Sequence, residues 1–333
     1  MRVKYFDNAK GILILFIIVA HVFSACADYY GYEDNFFKFC SLFMIPCFFF
    51  ISAYFSSKSK RSRISRILNM VKIYLIWQII ITMYYSFVLK TMNFSFNVLY
   101  PRYTYWFLVT MITYLILEYV FEKMNYKIMI PLSFVISLVA GFIPFIGEYA
   151  SLARTFTFLP FYVIGFYAKD LKLVDKLRSE KFRKTFIIAS VIILILLLLN
   201  DDIMPYRLLR GKYSYYDVTG SLASVFFKRI LFYIFSLIVS GTFFKVMSDK
   251  ETIFTKLGQN TLYIYLTQGA ILKTLVTYNL LFDNEILGTI ITLILLIILT
   301  TVFEKAIAWV KKRFKEKMEG CEWIRNLQVL KSH

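Results

Sequence analysis

Windows of about 20 mainly apolar residues recur along this 333-residue chain, parted by short polar stretches. A helix crossing the hydrocarbon core needs that length, because it rises about 1.5 Å per residue and must satisfy its backbone donors and acceptors internally. The windows fall at roughly 10–27, 36–56, 68–89, 104–122, 127–146, 153–168, 184–200, 222–246, 258–279 and 286–310. The most continuous apolar run is 186–199, while Pro144 and Pro160 interrupt the fifth and sixth windows. A membrane β-barrel would show alternation in segments of about ten residues, which these runs lack. The expected fold is therefore all-α: a polytopic integral membrane protein of about ten transmembrane helices.

Composition narrows the function classes. Hydrophobic residues make up 59% of the chain and charged ones only 18%, with a mean hydropathy of +0.63, too little polar surface for a soluble globule. The net charge of +18 would point to nucleic acid in a soluble chain. Here the basic residues collect in short connections, so the expected polyanion is anionic membrane lipid and a nucleic-acid partner is excluded. Four cysteines in so long a chain do not make a disulfide framework.

The basic connections also set orientation. The segment KSKRSRISR at 58–66, the stretch 169–184 and the tail from Lys305 are rich in Lys and Arg; 28–35, 144–152 and 280–285 have none. The positive-inside rule then places both termini in the cytoplasm. Residues 1–312 read as the membrane domain and 313–333 as a short basic tail, so any partner enzyme is expected to be a separate chain. The longest outer connection, 201–221, mixes Asp201, Asp202 and Asp217 with Arg207, Arg210 and Lys212, and is expected to cover an extracytoplasmic site. Ala25-Cys26-Ala27 gives the start of the chain the outline of a cleavable leader, against which stand Asp7 and His21.

Ionisable groups inside a bilayer cost several kcal/mol and are functional candidates by default. His21 is the only histidine apart from the last residue, His333. On a helix Asp7, Lys10 and His21 share one stripe, with Lys10 about 16 Å and Asp7 about 21 Å from the imidazole. That spacing suits a long ligand or a channel better than a compact triad. Two readings of His21 stand side by side: a neutral imidazole bonded to a neighbouring helix, or a general base. Arg63 and Arg66, one helical turn apart, read as lipid anchors or as a phosphate-binding fork. Trp106 reads as an aromatic-belt residue. Asn260, Tyr263 and Thr267 form a polar face in the ninth window, with Gln268 beside Tyr265; interhelical hydrogen bonding is their simplest role. Cys40 and Cys47 read as small core residues, Glu118 and Glu122 as solvated helix-end charges, and no ligand set for a metal is present.

Six blocks, in order, resemble one known family. YFDNAKGILILFIIVAH at 5–21 is similar to the opening of the membrane acyltransferase 3 family, where an acid, a base three residues later and a histidine eleven after that begin the first span. FFFISAYF at 48–55, the basic stretch through Arg66 into YLIW at 74–77, YWFL at 105–108, FLPFYVIGFYAKD at 158–170 and LGQNTLYIYLTQ at 257–268 resemble later blocks, closest to the O-acetylase branch acting on surface sugars such as fucose. Ile73 replaces a proline of the family pattern, Gln268 stands where many relatives carry histidine, and the acid of the last span falls at Glu304. The resemblance implies transfer of an acyl group, usually acetyl, from acetyl-CoA to a glycan hydroxyl of a capsule or exopolysaccharide, in the plasma membrane of a bacterium and beside glycan-biosynthesis enzymes. It implies catalytic roles for His21 and Asp7, acyl-CoA binding by Lys10, Arg63 and Arg66, and a substrate pocket formed by Trp106, Asn260, Tyr263, Gln268 and Glu304. The alternative expectation is a transporter or flippase for a lipid-linked glycan.

Overall fold

The computed structural model describes residues 3–30 and 35–278 and isolated positions beyond. Glu304, and most of the tenth window and the basic tail, lie outside the described residues. Every regular element among the described residues is helical: α1 (Lys4–Tyr30), α2 (Asn35–Ser41), α3 (Met44–Ser57), α4 (Arg63–Met83), α5 (Trp106–Phe121), α6 (Tyr126–Ala140), α7 (Leu152–Phe166), α8 (Leu173–Arg178), α9 (Arg183–Leu199), α10 (Tyr206–Arg210), α11 (Leu222–Lys245), α12 (Ile253–Gln259) and α13 (Thr261–Thr277). Among the described residues, five stretches are long and apolar enough to cross a membrane: Lys4–Ala25, Phe37–Ser57, Arg63–Val88, Tyr103–Phe121 and Leu222–Lys245. The protein is an all-α polytopic membrane protein.

The first nine expected windows all coincide with helix. Those at α6, α7, α9 and α13 are only 15 to 17 residues long, short of a full crossing of the roughly 30 Å core. Apolar runs do not report breaks. The second window is interrupted between α2 and α3, and the ninth at Asn260, whose φ of −116° and ψ of 12° leave the helix. At Tyr84–Val88, α4 loosens into a π-helical turn.

Small residues and one buried amide lock α1 in place. Gly11 lies so near α12 that an added Cβ would stand 2.2 Å from the Phe254 carbonyl oxygen; at Gly258 it would stand 1.7 Å from that of Asp7. Small residues let membrane helices approach to backbone contact, where dispersion rather than the hydrophobic effect drives association. Asn8, buried beside them, donates to the carbonyls of Ser248 and Lys250 at 2.8 Å and accepts from the Thr252 and Thr255 hydroxyls. With both ends of its amide satisfied, Asn8 fixes the rotation of α1 and so the face it turns inward. Gly165 plays the matching part where α7 crosses α3, since a Cβ there would meet the Phe50 carbonyl at 2.4 Å.

The described connections sort to two ends of the bundle. At one end Lys4 pairs with Glu251 at 2.9 Å, Arg178 with Asp249 at 2.8 Å, and Lys245 donates to the carbonyls of Lys176, Ser179 and Lys181. At the other, Tyr206 of the 201–221 connection bonds Ser24 at 2.5 Å, and Lys212 pairs with Glu148 at 2.6 Å. One expectation fails. Glu118 is fully buried rather than solvated, because α5 places it against α4 and α7, where it meets Arg63, Arg66 and Tyr162.

Candidate functional site

Lys10, Ile14, Ile17, Ala20, His21 and Ser24 follow one another along a single face of α1 and line a cavity of about 410 Å³. From Lys10 to Ser24 the helix rises about 21 Å, so the cavity accompanies it through most of the apolar core. The opposing walls come from α3, the start of α5, α7, α13 and the 201–221 connection, which contributes Leu209, Arg210 and Lys212. That connection therefore covers the cavity as its length and charge suggest.

His21 stands about 16 Å up the stripe from Lys10. The charges of Arg210 and Arg154 and the Ile17 carbonyl act on its ring, yet its Nδ1 forms no well-aligned hydrogen bond among the described residues. Tyr103 faces it, with ring centroids 5.5 Å apart and planes inclined at 41°. Tyr103 holds a left-handed φ of +48°, a conformation that disfavours any side chain and that folds retain chiefly where a site over-determines it. Its ring fits because position 269 is glycine: a Cβ there would meet the Tyr103 ring at 2.4 Å.

Gln268 enters the same cavity from α13. The residue is 3% exposed, and neither its Oε1 nor its Nε2 has a partner among the described residues. The Thr104 hydroxyl, also on the wall, is equally unpartnered. A buried polar group left unsatisfied costs about 1–3 kcal/mol, so an unpartnered amide and hydroxyl on one wall make that wall a candidate place for a polar ligand. Trp106 completes this wall, its ring stacked on Phe158 and covered by the Arg154 guanidinium at 4.6 Å.

Not every expected residue joins them. Asp7 pairs with Lys10 at 2.8 Å from behind the wall and does not line the cavity, so whatever it does there it does through Lys10. Arg63 and Arg66 converge on Glu118 at 3.3 and 3.2 Å, with Glu122 and Ser56 as further partners; they brace α4 against α5 outside the cavity. Asn260 turns its amide to the Lys256 carbonyl, and Tyr263 is likewise absent from the wall. The cavity face of α13 carries Thr261, Tyr265 and Gln268 instead, because the helix begins at Thr261 with Tyr265 pinned to the Thr104 carbonyl.

Tyr103 and Arg154 line the site unannounced, whereas Lys212 arrives with the 201–221 connection expected to cover it. The only sequence signal of Tyr103 and Arg154 is position at the outer ends of apolar runs, which also describes ordinary interface residues. Glu148 sits beside them. Burial opposes its charge, and the Lys212 ammonium at 2.6 Å, aided by Arg154 and Arg210, more than compensates, holding the carboxyl below its ordinary range.

A family model described as an acyltransferase domain matches residues 3–309. No curated protein and no solved structure matches the chain.

Proposed function

The chain belongs to the membrane acyltransferase 3 family and is a membrane acyltransferase; on that premise we propose that it moves an acetyl group from cytoplasmic acetyl-CoA to a hydroxyl of a surface polysaccharide or its lipid-linked precursor, in the plasma membrane of a bacterium. The observation that carries this reading is the long cavity on α1, with a lysine at one end and an imidazole about 16 Å further on. A coenzyme A thioester has that form: anionic phosphates, then a long thin arm, then the reacting carbonyl. Lys10, held ready by Asp7, would meet the phosphates; Arg63 and Arg66, expected to share this task, are already paired with Glu118 and Glu122.

His21 then acts as general base. Its imidazole accepts the proton of the sugar hydroxyl as the oxygen attacks the thioester carbon; the C–S bond breaks, and the departing thiolate recovers the proton from the imidazolium. Direct transfer is preferred to an acyl-histidine, since holding donor and acceptor at one ring would by proximity alone lower the barrier. Gln268 and the Thr104 hydroxyl would bind the polar groups of the acceptor, and Trp106, whose ring already carries Phe158 and the Arg154 guanidinium, would hold Arg154 against the wall beside it.

The test uses inside-out membrane vesicles containing the full chain and labelled acetyl-CoA. His21→Ala should lower label transfer to glycan by about 100-fold or more, with the amount of inserted protein unchanged. Undiminished transfer in that variant, or glycan movement across the vesicle without thioester consumption, would overturn the proposal.

A further inference from the structure

Among the described residues, Arg154 and Lys212 at the outer end of the cavity answer to one carboxylate, that of Glu148. Arg154, at the start of α7, lays its guanidinium on the Trp106 ring at 4.6 Å and donates from Nε to the Arg210 carbonyl at 3.3 Å. Its terminal nitrogens have no hydrogen-bonded acceptor and no carboxylate at ion-pair distance among the described residues. The nearest acid acting on it is Glu148, and that carboxylate is already held by Lys212 at 2.6 Å. Arg154 and Lys212 thus share one acid among the described residues, with Arg210 also acting on it. Arg210 and Ser24 close the same corner through Tyr206.

Arginine held in this way at the outer end of an apolar run differs from an ordinary interface anchor. A charged group there is normally paired or drawn out to water; this one lines the cavity, braced on two sides by an aromatic face and a backbone carbonyl, with no acceptor for its terminal nitrogens among the described residues. Stacking on Trp106 removes the freedom that an exposed arginine would lose on binding, and the planar fork suits a carboxylate or phosphate taken two oxygens at a time. Unpartnered Gln268 lies on the same cavity wall and supplies neutral donors and acceptors, so the charged demand falls on Arg154.

We propose that Arg154, supported by Lys212, binds an anionic group of the substrate at the outer end of the cavity, so that the enzyme selects a substrate bearing a carboxylate or phosphate. This rests on the acyl-transfer reading and adds a specificity that the reading does not require. The anion has two sources. It belongs to the acceptor, as in an acidic or phosphorylated sugar, or to the far end of the acyl chain, as in a dicarboxylic acyl group.

Binding to the purified full chain in detergent separates them. Octyl glucuronide against octyl glucoside probes an acceptor-borne anion, and succinyl-CoA against butyryl-CoA an anion on the acyl chain. The proposal expects one pair to show about tenfold or greater preference for its charged member. Arg154→Gln should bring that ratio near one and Arg154→Lys should keep part of it, with monodispersity and thermal unfolding showing both variants folded. Equal binding within both pairs, absence of binding included, or a preference that survives Arg154→Gln in folded protein, would overturn it. Because the readout is binding, the outcome is independent of turnover: label transfer that depends on His21 with no charge preference removes this inference alone.

Discussion

Buried charge is where single residues carry most of the account. Glu118 has no exposure and compensates Arg63 and Arg66 together, while its other oxygen accepts from Tyr162 at 2.8 Å. Removing one member of a buried ionic cluster leaves the others uncompensated, at about 3–5 kcal/mol. Glu118→Gln should therefore lower thermal stability in detergent by that order, whereas Glu122→Gln, at a carboxylate 56% exposed, should change it by less than about 1 kcal/mol; equal effects would contradict the role given to Glu118. Glu148 carries a pH dependence. Its carboxyl is lowered in the fold, so its contribution is complete above the ordinary glutamate value of about 4.3 and fades as pH falls through the lower folded value. Hydrogen exchange in residues 206–217 should accelerate as pH drops from about 5 to 3, after correction for intrinsic rates, and Glu148→Gln should abolish that acceleration. Of the site residues, His21, Lys10, Trp106 and Gln268 were legible because ionisable, aromatic or amide groups stand out in apolar runs. Arg154 and Tyr103 were not, since what makes them unusual is a missing partner and a backbone twist, both properties of the assembled structure.

Among the helices, α1 and α12 set the accuracy of the site. Their approach depends on the absence of side chains at Gly11 and Gly258, where a Cβ would fall 2.2 and 1.7 Å from opposing carbonyl oxygens. Backbone cannot yield as a flexible side chain does, so Gly258→Ala should push the helices apart and destabilise by about 1–3 kcal/mol or more. It should also weaken coenzyme A binding more than binding of octyl glycosides, because Asp7 and Lys10 lie at the displaced end of α1; an equal loss of both would show a general unfolding instead. Helix positions were readable from apolar length alone, since nothing but helix satisfies a backbone in oil without a closed barrel. The polar face assigned to 260–267 was displaced for a local reason: Asn260 ends one helix and does not belong to the next, so Thr261, Tyr265 and Gln268 turn inward.

At the scale of the molecule, the bundle gathers its basic connections at one end and covers the other with the 201–221 segment, and a cavity of about 410 Å³ follows α1 between them. A membrane enzyme that joins a cytoplasmic donor to an acceptor beyond needs such a path and a proton acceptor within it. The stripe on α1 foretold the direction of the path; its width and outer wall depend on α7 and α13, which no linear pattern relates to α1. The most direct test of the central claim is a structure of the full chain in lipid bound to a non-transferable acetyl-CoA analogue with a ketone in place of the thioester. The account predicts phosphates at the Lys10 end, the pantetheine arm along Ile14 and Ile17, and the ketone carbon beside the His21 ring. An analogue bound outside this cavity, or one whose acyl end lies away from His21, would contradict it.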